Sequence, residues 1–175
     1  MRRLVYSVAM SLDGFIAGPN GEYDWIVPEP TLDLAKHYSG FDALLIGRRT
    51  YELMLALGQT PKSMGMQAVV VSTTLDPSQH GDVRIVREDV EQAVAELKGQ
   101  SGKDIWLFGG GALFRAMMDA GLVDAVELAV QPILLGSGVR VIPEGRRHPM
   151  HLEACDRYPD GTLMLRYGVP AAPAQ

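Results

Sequence analysis

A single cysteine, Cys155, stands among 175 residues. One thiol excludes an intramolecular disulfide framework and any cysteine-rich zinc cluster, suits a reducing compartment, and reads as a packing residue. No apolar run approaches the roughly 18 residues of a membrane span, and the opening MRRLVYSVAMSLDG turns polar too soon for a signal peptide. A cytoplasmic chain with no membrane partner is expected. Positive charge is also short, with 16 Lys and Arg against 21 Asp and Glu, a net charge of -5 and a pI near 5.3. That balance argues against a general nucleic-acid partner, and any phosphate site must be built locally. Three nucleotide-handling motifs are missing. There is no G-x-x-x-x-G-K-[S/T] loop, and GGGALF lacks the third glycine of G-x-G-x-x-G. The H-x-E with P-C-x-x-C pattern of zinc deaminases is absent as well. No metal site is indicated.

What is present is a 47% apolar chain of one-domain length. LVYSVAM (residues 4–10) reads as a buried strand, and residues 13–30, rich in Gly, Pro, Asn and Asp, as a long loop of the kind that is often functional. Thr31 is placed to cap a short helix, LDLAKHYS, with Leu32 and Ala35 on one face. DALLIG (residues 42–47), QAVVVS, RIV, IWLFGGG and AVELAVQPIL read as further strands. RRTYELMLAL, DVEQAVAELKGQ and ALFRAMMDAG read as helices. HLEACDRYPDGTLMLRYGV gives two strands across a Pro-Asp-Gly turn. The alternation predicts an α/β fold of three layers: a mostly parallel central sheet, helices on both faces, and a C-terminal antiparallel hairpin. Residues 1–168 form the domain and 169–175 a flexible tail.

Three clusters lie where strands end and helices begin, the places at which α/β sheets bind ligands. Gly109, Gly110 and Gly111 remove three Cβ atoms, which admits a phosphate or flat ring, or makes a tight turn. After Gly47 come Arg48, Arg49 and Thr50, two cationic forks and a hydroxyl at a helix start, where arginines oppose the helix dipole and a bound anion would compensate. Ser72, Thr73 and Thr74 end a strand in hydroxyls that either bond a phosphate or cap the chain end. Three such strand ends favour an extended dinucleotide.

SLDGFIA with Trp25, IGRRTYE, VVVSTT and FGGGALF, in this order, closely resemble the dihydrofolate reductase-like superfamily. The branch is that of the reductase domain of the riboflavin-biosynthesis deaminase-reductase, and the likeness runs over residues 4–167. The resemblance implies an NADPH-dependent reductase. Arg48, Arg49, Thr50, Ser72 and Thr73 would hold the adenosine phosphates, and Gly47 would open that cluster. Gly109 to Gly111, with Phe108, Ala112 and Leu113 around them, would lie against the cofactor, and Ala9 and Ile16 against the nicotinamide. The loop from Asp13 to Trp25 would cover the reacting ring, both of these residues meeting substrate.

For the substrate, Asp33 would grip a pterin and donate the proton, or serve only as a helix N-terminal acid. A water under the loop is the other donor, ahead of Asp13, whose SLDG also reads as a plain turn. The folate-tail arginine and the threonine behind the acid fall at Met66 and Ala129, against dihydrofolate. Reduction of a phosphorylated aminopyrimidine would need cations, which residues 145–149 (GRRHP) and Arg140 would supply unless they form a solvated loop. A non-catalytic nucleotide-binding module is the reading from another class. A small-molecule substrate and a homodimer, joined through the apolar C-terminal strands, complete the expectations.

Overall fold

The computed structural model describes residues 1–27, 30–31 and 33–170, and leaves the side chains of Leu34 and Ala35 undescribed. Ten strands and four α-helices follow one another along the described chain. They run β1 (Leu4–Ser11), β2 (Phe15–Ala17), α1 (Leu34–Tyr38), β3 (Phe41–Gly47), α2 (Arg48–Ala56), β4 (Gln67–Val71), β5 (Arg84–Val86), α3 (Val90–Gly99), β6 (Asp104–Leu107), α4 (Gly111–Asp119), β7 (Ala125–Gln131), β8 (Val139–Arg140), β9 (His151–Arg157) and β10 (Leu163–Gly168). Eight strands form one sheet in the order β5-β4-β3-β6-β1-β7-β10-β9, and β2 pairs with β8 in a small second sheet. The six strands from β5 to β7 are parallel, whereas β10 and β9 are antiparallel.

The central strands are apolar on both faces because both faces are covered. Leu4, Tyr6, Ala43, Leu45, Ile105 and Leu107 pack with α3 and α4. Their alternates Val5, Leu44, Ile46 and Trp106 pack with Tyr51 and Met54 of α2 and against Tyr38 of α1. This is the three-layer arrangement predicted from the alternation of strand and helix.

Two details differ from the sequence reading. α1 begins at Leu34, two residues later than the sequence reading placed it, and Asp33 stands at its start: its carboxylate accepts from Lys36 N at 2.9 Å and its carbonyl from His37 N at 3.0 Å. A helix start needs its side-chain acceptor beside the first free N–H groups, and Asp33 directly precedes Leu34. Leu32 and Ala35, assigned to a common face, lie outside what is described. Val169 N donates to the Asp124 carbonyl at 3.0 Å, so the paired chain continues past residue 168, and residues 171–175 of the expected tail lie outside the described residues.

Strand order positions the site. After β3, β4 and β5 step outward, α3 returns the chain to β6 between β3 and β1, and α4 then carries it to the far side of β1. The direction of winding reverses at β6 and β1, and a crevice opens beyond the carboxyl ends of such a pair.

Candidate active site

A cavity of about 340 Å³ lies beside these strands. Ser7, Val8 and Ala9 of β1, Ala129 and Gln131 of β7, and Trp106 and Phe108 from β6 and its end line it. Ile26 and Val27 reach it from the long loop, His37 and Tyr38 from α1, and Thr162 and Met164 from the closing hairpin. Trp106 joins the aromatic wall, with ring centroids 4.9 Å from Tyr38 and 4.5 Å from Phe108. Its indole N–H donates to the Ser7 carbonyl at 2.8 Å, which fixes the ring plane.

The polar corner of the cavity comes from a row of residues across the sheet. Ser7 stands beside Glu127, and Glu127 beside Arg166. His37 descends onto this row, its Nε2 3.0 Å from Ser7 Oγ and its Nδ1 3.7 Å from Glu127 Oε2. Glu127 is 7% exposed, and its other oxygen accepts from Arg166 Nε at 2.7 Å. Burial holds His37 below the usual histidine range, against the pull of the Glu127 carboxylate and with some help from Arg166. The ring is therefore neutral near pH 7. With its proton on Nδ1, nearer the carboxylate, Nε2 accepts the Ser7 hydroxyl.

The glycine triplet sits at the mouth of the crevice, and its three members differ. Gly109 has φ +86°, and a Cβ there would lie 3.3 Å from Thr50 Cγ2, so this turn touches the start of α2. Gly110 has φ +84°, yet a Cβ would meet only the Leu113 Cβ at 3.9 Å, leaving the space above it open. Gly111 has an ordinary φ, but its Cβ would stand 2.8 Å from the Arg140 carbonyl oxygen. The chain's own packing explains Gly111. Leu113 turns into the core with α3 and α4, and Ala112 is exposed on the first turn of α4.

At the neighbouring strand end, Gly47 precedes α2, whose N-terminus has no side-chain cap. Arg48 pairs with Glu52 at 3.0 Å along the helix, while Arg49 is exposed and makes no ion pair or hydrogen bond among the described residues. Thr50 faces the Gly109 turn. Ser72 departs from the phosphate reading: it is buried, and its hydroxyl oxygen accepts from Thr74 N at 3.2 Å and Leu75 N at 3.1 Å. It caps the end of β4, the other alternative its sequence allowed. Thr73 beside it is exposed.

Three expected substrate contacts have other employment. Asp13 accepts from Ser11 Oγ at 2.6 Å, Gly136 N at 2.7 Å and Leu135 N at 3.1 Å. These bonds, the Ser11 hydroxyl foremost, lower its pKa to about 2 and fasten the turn after β1 to the loop after β7. Trp25 donates to the Glu22 carbonyl at 3.1 Å within its own loop, and its neighbours Ile26 and Val27 reach the cavity instead. Asp33 is exposed and engaged as a cap, while His37, one turn later, lines the cavity. Ile16 is half-buried in β2, outside the lining, whereas Ala9 and Phe108 lie in it.

Of the basic residues considered for a substrate phosphate, Arg147 is exposed without an ion pair or hydrogen bond among the described residues, and the other three are engaged elsewhere. Arg146 Nε and His148 Nε2 lie 3.0 and 2.8 Å from Asp119 Oδ1, and Arg140 lies over the Phe15 ring at 5.6 Å.

Among known proteins, a family model described as the RibD C-terminal domain matches residues 2–164. The uncharacterized protein YyaP of Bacillus subtilis is 32% identical over 151 residues, covering 78% of each chain. A protein from Shewanella sp. PV-4 named for riboflavin biosynthesis superposes with a TM-score of 0.81 at 24% identity, covering 97% of this chain and 99% of that one. The Thermotoga maritima diaminohydroxyphosphoribosylaminopyrimidine deaminase/5-amino-6-(5-phosphoribosylamino)uracil reductase gives 0.70 at 16% identity, over 97% of this chain and 57% of its own. Both structures share the fold. Among the described residues, no helix is long and apolar enough to cross a membrane.

Proposed function

Because the chain belongs to the RibD C-terminal domain family, we propose that it is a reductase that passes a hydride from NADPH to a small heterocyclic, carbonyl or imine substrate in the aromatic cavity. The observation that carries this reading is the adjacency of two different surfaces at one crevice. On one side stand an open, positive-φ glycine and the uncapped starts of two helices; on the other lies a mostly apolar cavity, half open to solvent. The first suits a long anionic cofactor, and the second a flat ring stacked on aromatic faces.

NADPH, when bound, supplies the hydride. The chain's own residues do the rest. Gly110 leaves room for close approach, and the free N–H groups opening α2 and α4 face negative charge. Arg49 is available for a phosphate, and Arg48 can leave an exposed pair with Glu52 of a kind worth only about 0.3–0.5 kcal/mol. Thr50 and Thr73 add hydroxyls. Ala9 and Phe108 bound the end of the cavity nearest the glycine turn, Ile26 and Val27 close it from the loop, and Ser7 with His37 gives it one polar corner. A cytoplasmic setting, where NADPH is held, agrees with the single thiol.

Calorimetry with NADPH and NADH tests the reading. NADPH should bind at least about tenfold more tightly, since charge-assisted bonds to its extra phosphate are worth roughly 1.5–3 kcal/mol each. The double variant Arg48→Ala, Arg49→Ala should lose most of that difference. Equal affinities in the unaltered chain would reject NADPH as the cofactor.

A further inference from the structure

The cavity joins an aromatic wall to a polar corner without a free charge. Tyr38, Trp106 and Phe108 supply stacking faces. Ser7 and His37 supply the hydrogen-bonding edge, and Gln131 and Thr162 are the remaining polar residues of the lining. No lysine or arginine is among the described residues that line it. Pro28, Glu29 and Leu32, which are not described, include no cation either. The nearest guanidinium behind the wall, Arg166, is held by the Glu127 carboxylate. A phosphate entering here would be desolvated against a neutral imidazole and a carboxylate already paired with Arg166, with no cation in the described lining to compensate its charge.

We propose that the substrate is an uncharged, unphosphorylated planar heterocycle, stacked on the aromatic wall and hydrogen-bonded through an amide-like edge to the Ser7–His37 pair. This rests on the reductase reading and narrows it. A volume of about 340 Å³ is at the small end of ligand cavities, which run roughly 300–1,000 Å³, so a bicyclic ring fills it. The Ser7–His37 pair can present either polarity. With Ser7 donating to Nε2, its oxygen lone pairs accept a ring N–H; with the hydroxyl turned outward, it donates to a ring carbonyl. An aromatic side chain in place of His37 would keep the packing and lose this edge.

The test is calorimetry on the full chain saturated with NADPH, using two probes. Lumazine (pteridine-2,4-dione) is an uncharged ring, and 5-amino-6-(5-phosphoribosylamino)uracil is a phosphorylated one. Lumazine should bind at least about tenfold more tightly, and His37→Phe and Ser7→Ala should each weaken it about tenfold while leaving NADPH affinity unchanged. Circular dichroism checks both folds, and Ser7→Ala suffices if His37→Phe is unstable. Lumazine binding that is absent, or no tighter than that of the phosphorylated probe, overturns the inference, as does undiminished binding in the folded variants. Failure of NADPH itself to bind would strike the reductase reading instead, so the two failures are separable.

Discussion

Adjacent glycines in the triplet carry different constraints, and single methyl groups separate them. Gly111→Ala pushes a Cβ to 2.8 Å from the Arg140 carbonyl oxygen, and that overpacking should cost about 1–3 kcal/mol in urea unfolding. Gly110→Ala meets no neighbour closer than 3.9 Å, but its φ of +84° should cost about 1–2 kcal/mol and hinder NADPH. A Gly111→Ala variant as stable as the parent would show that residues 140–141 do not press on α4. The sequence displayed the triplet but not this division of labour, because it depends on a segment some 30 residues later. Ser7 in LVYSVAM and Glu127 in AVELAVQ were visible as polar breaks in apolar strands. Their partner was not, since His37 arrives from a five-residue helix too short for its face to be read.

Among elements, the predicted strands and helices are found where periodicity was strong, while β2 and β8 escaped notice. With three and two residues in glycine-rich text, they exist only by pairing with each other. Elements are also tied at the opposite end of the sheet from the cavity. Lys98 of α3 donates to the Asp124 carboxylate at 2.5 Å and to the Leu122 carbonyl at 2.8 Å, and the same carboxylate oxygen accepts from Leu4 N at 2.7 Å. Helix, first strand and seventh strand thus meet at one carboxylate. Lys98→Ala should lower unfolding free energy by about 2–3 kcal/mol, less than for a fully enclosed pair because the Asp124 side chain is 37% exposed. Chemical denaturation measures it, and a change below about 0.5 kcal/mol would mean that water replaces the ammonium at no cost.

At the scale of the whole molecule, the sheet ends in β9, which among the described residues is paired on one side only, with β10. β9 is exposed along nearly its entire length, with Leu152 56% accessible and Met150 just before it 42%. A free edge of seven residues, with Leu152, Ala154 and Cys155 exposed or half-exposed among polar neighbours, invites a second copy. Light scattering at micromolar concentration should give about 38 kDa, twice the 19.0 kDa chain, and a stable 19.0 kDa species would reject the pairing. Sequence alternation foretold a layered sheet, but not the order of its strands, because nothing local says that β6 slips between β3 and β1. That order has a consequence for how the chain is born. Both neighbours of β1 come from beyond residue 103, so as the chain grows β1 waits, unpaired, until β6 and β7 have been made. The crevice between β1 and β6 is then among the last parts to take shape. A fragment ending before β6 would contain every arginine of the α2 cluster and no crevice for them to serve, and the intact chain should fold slowly for its size.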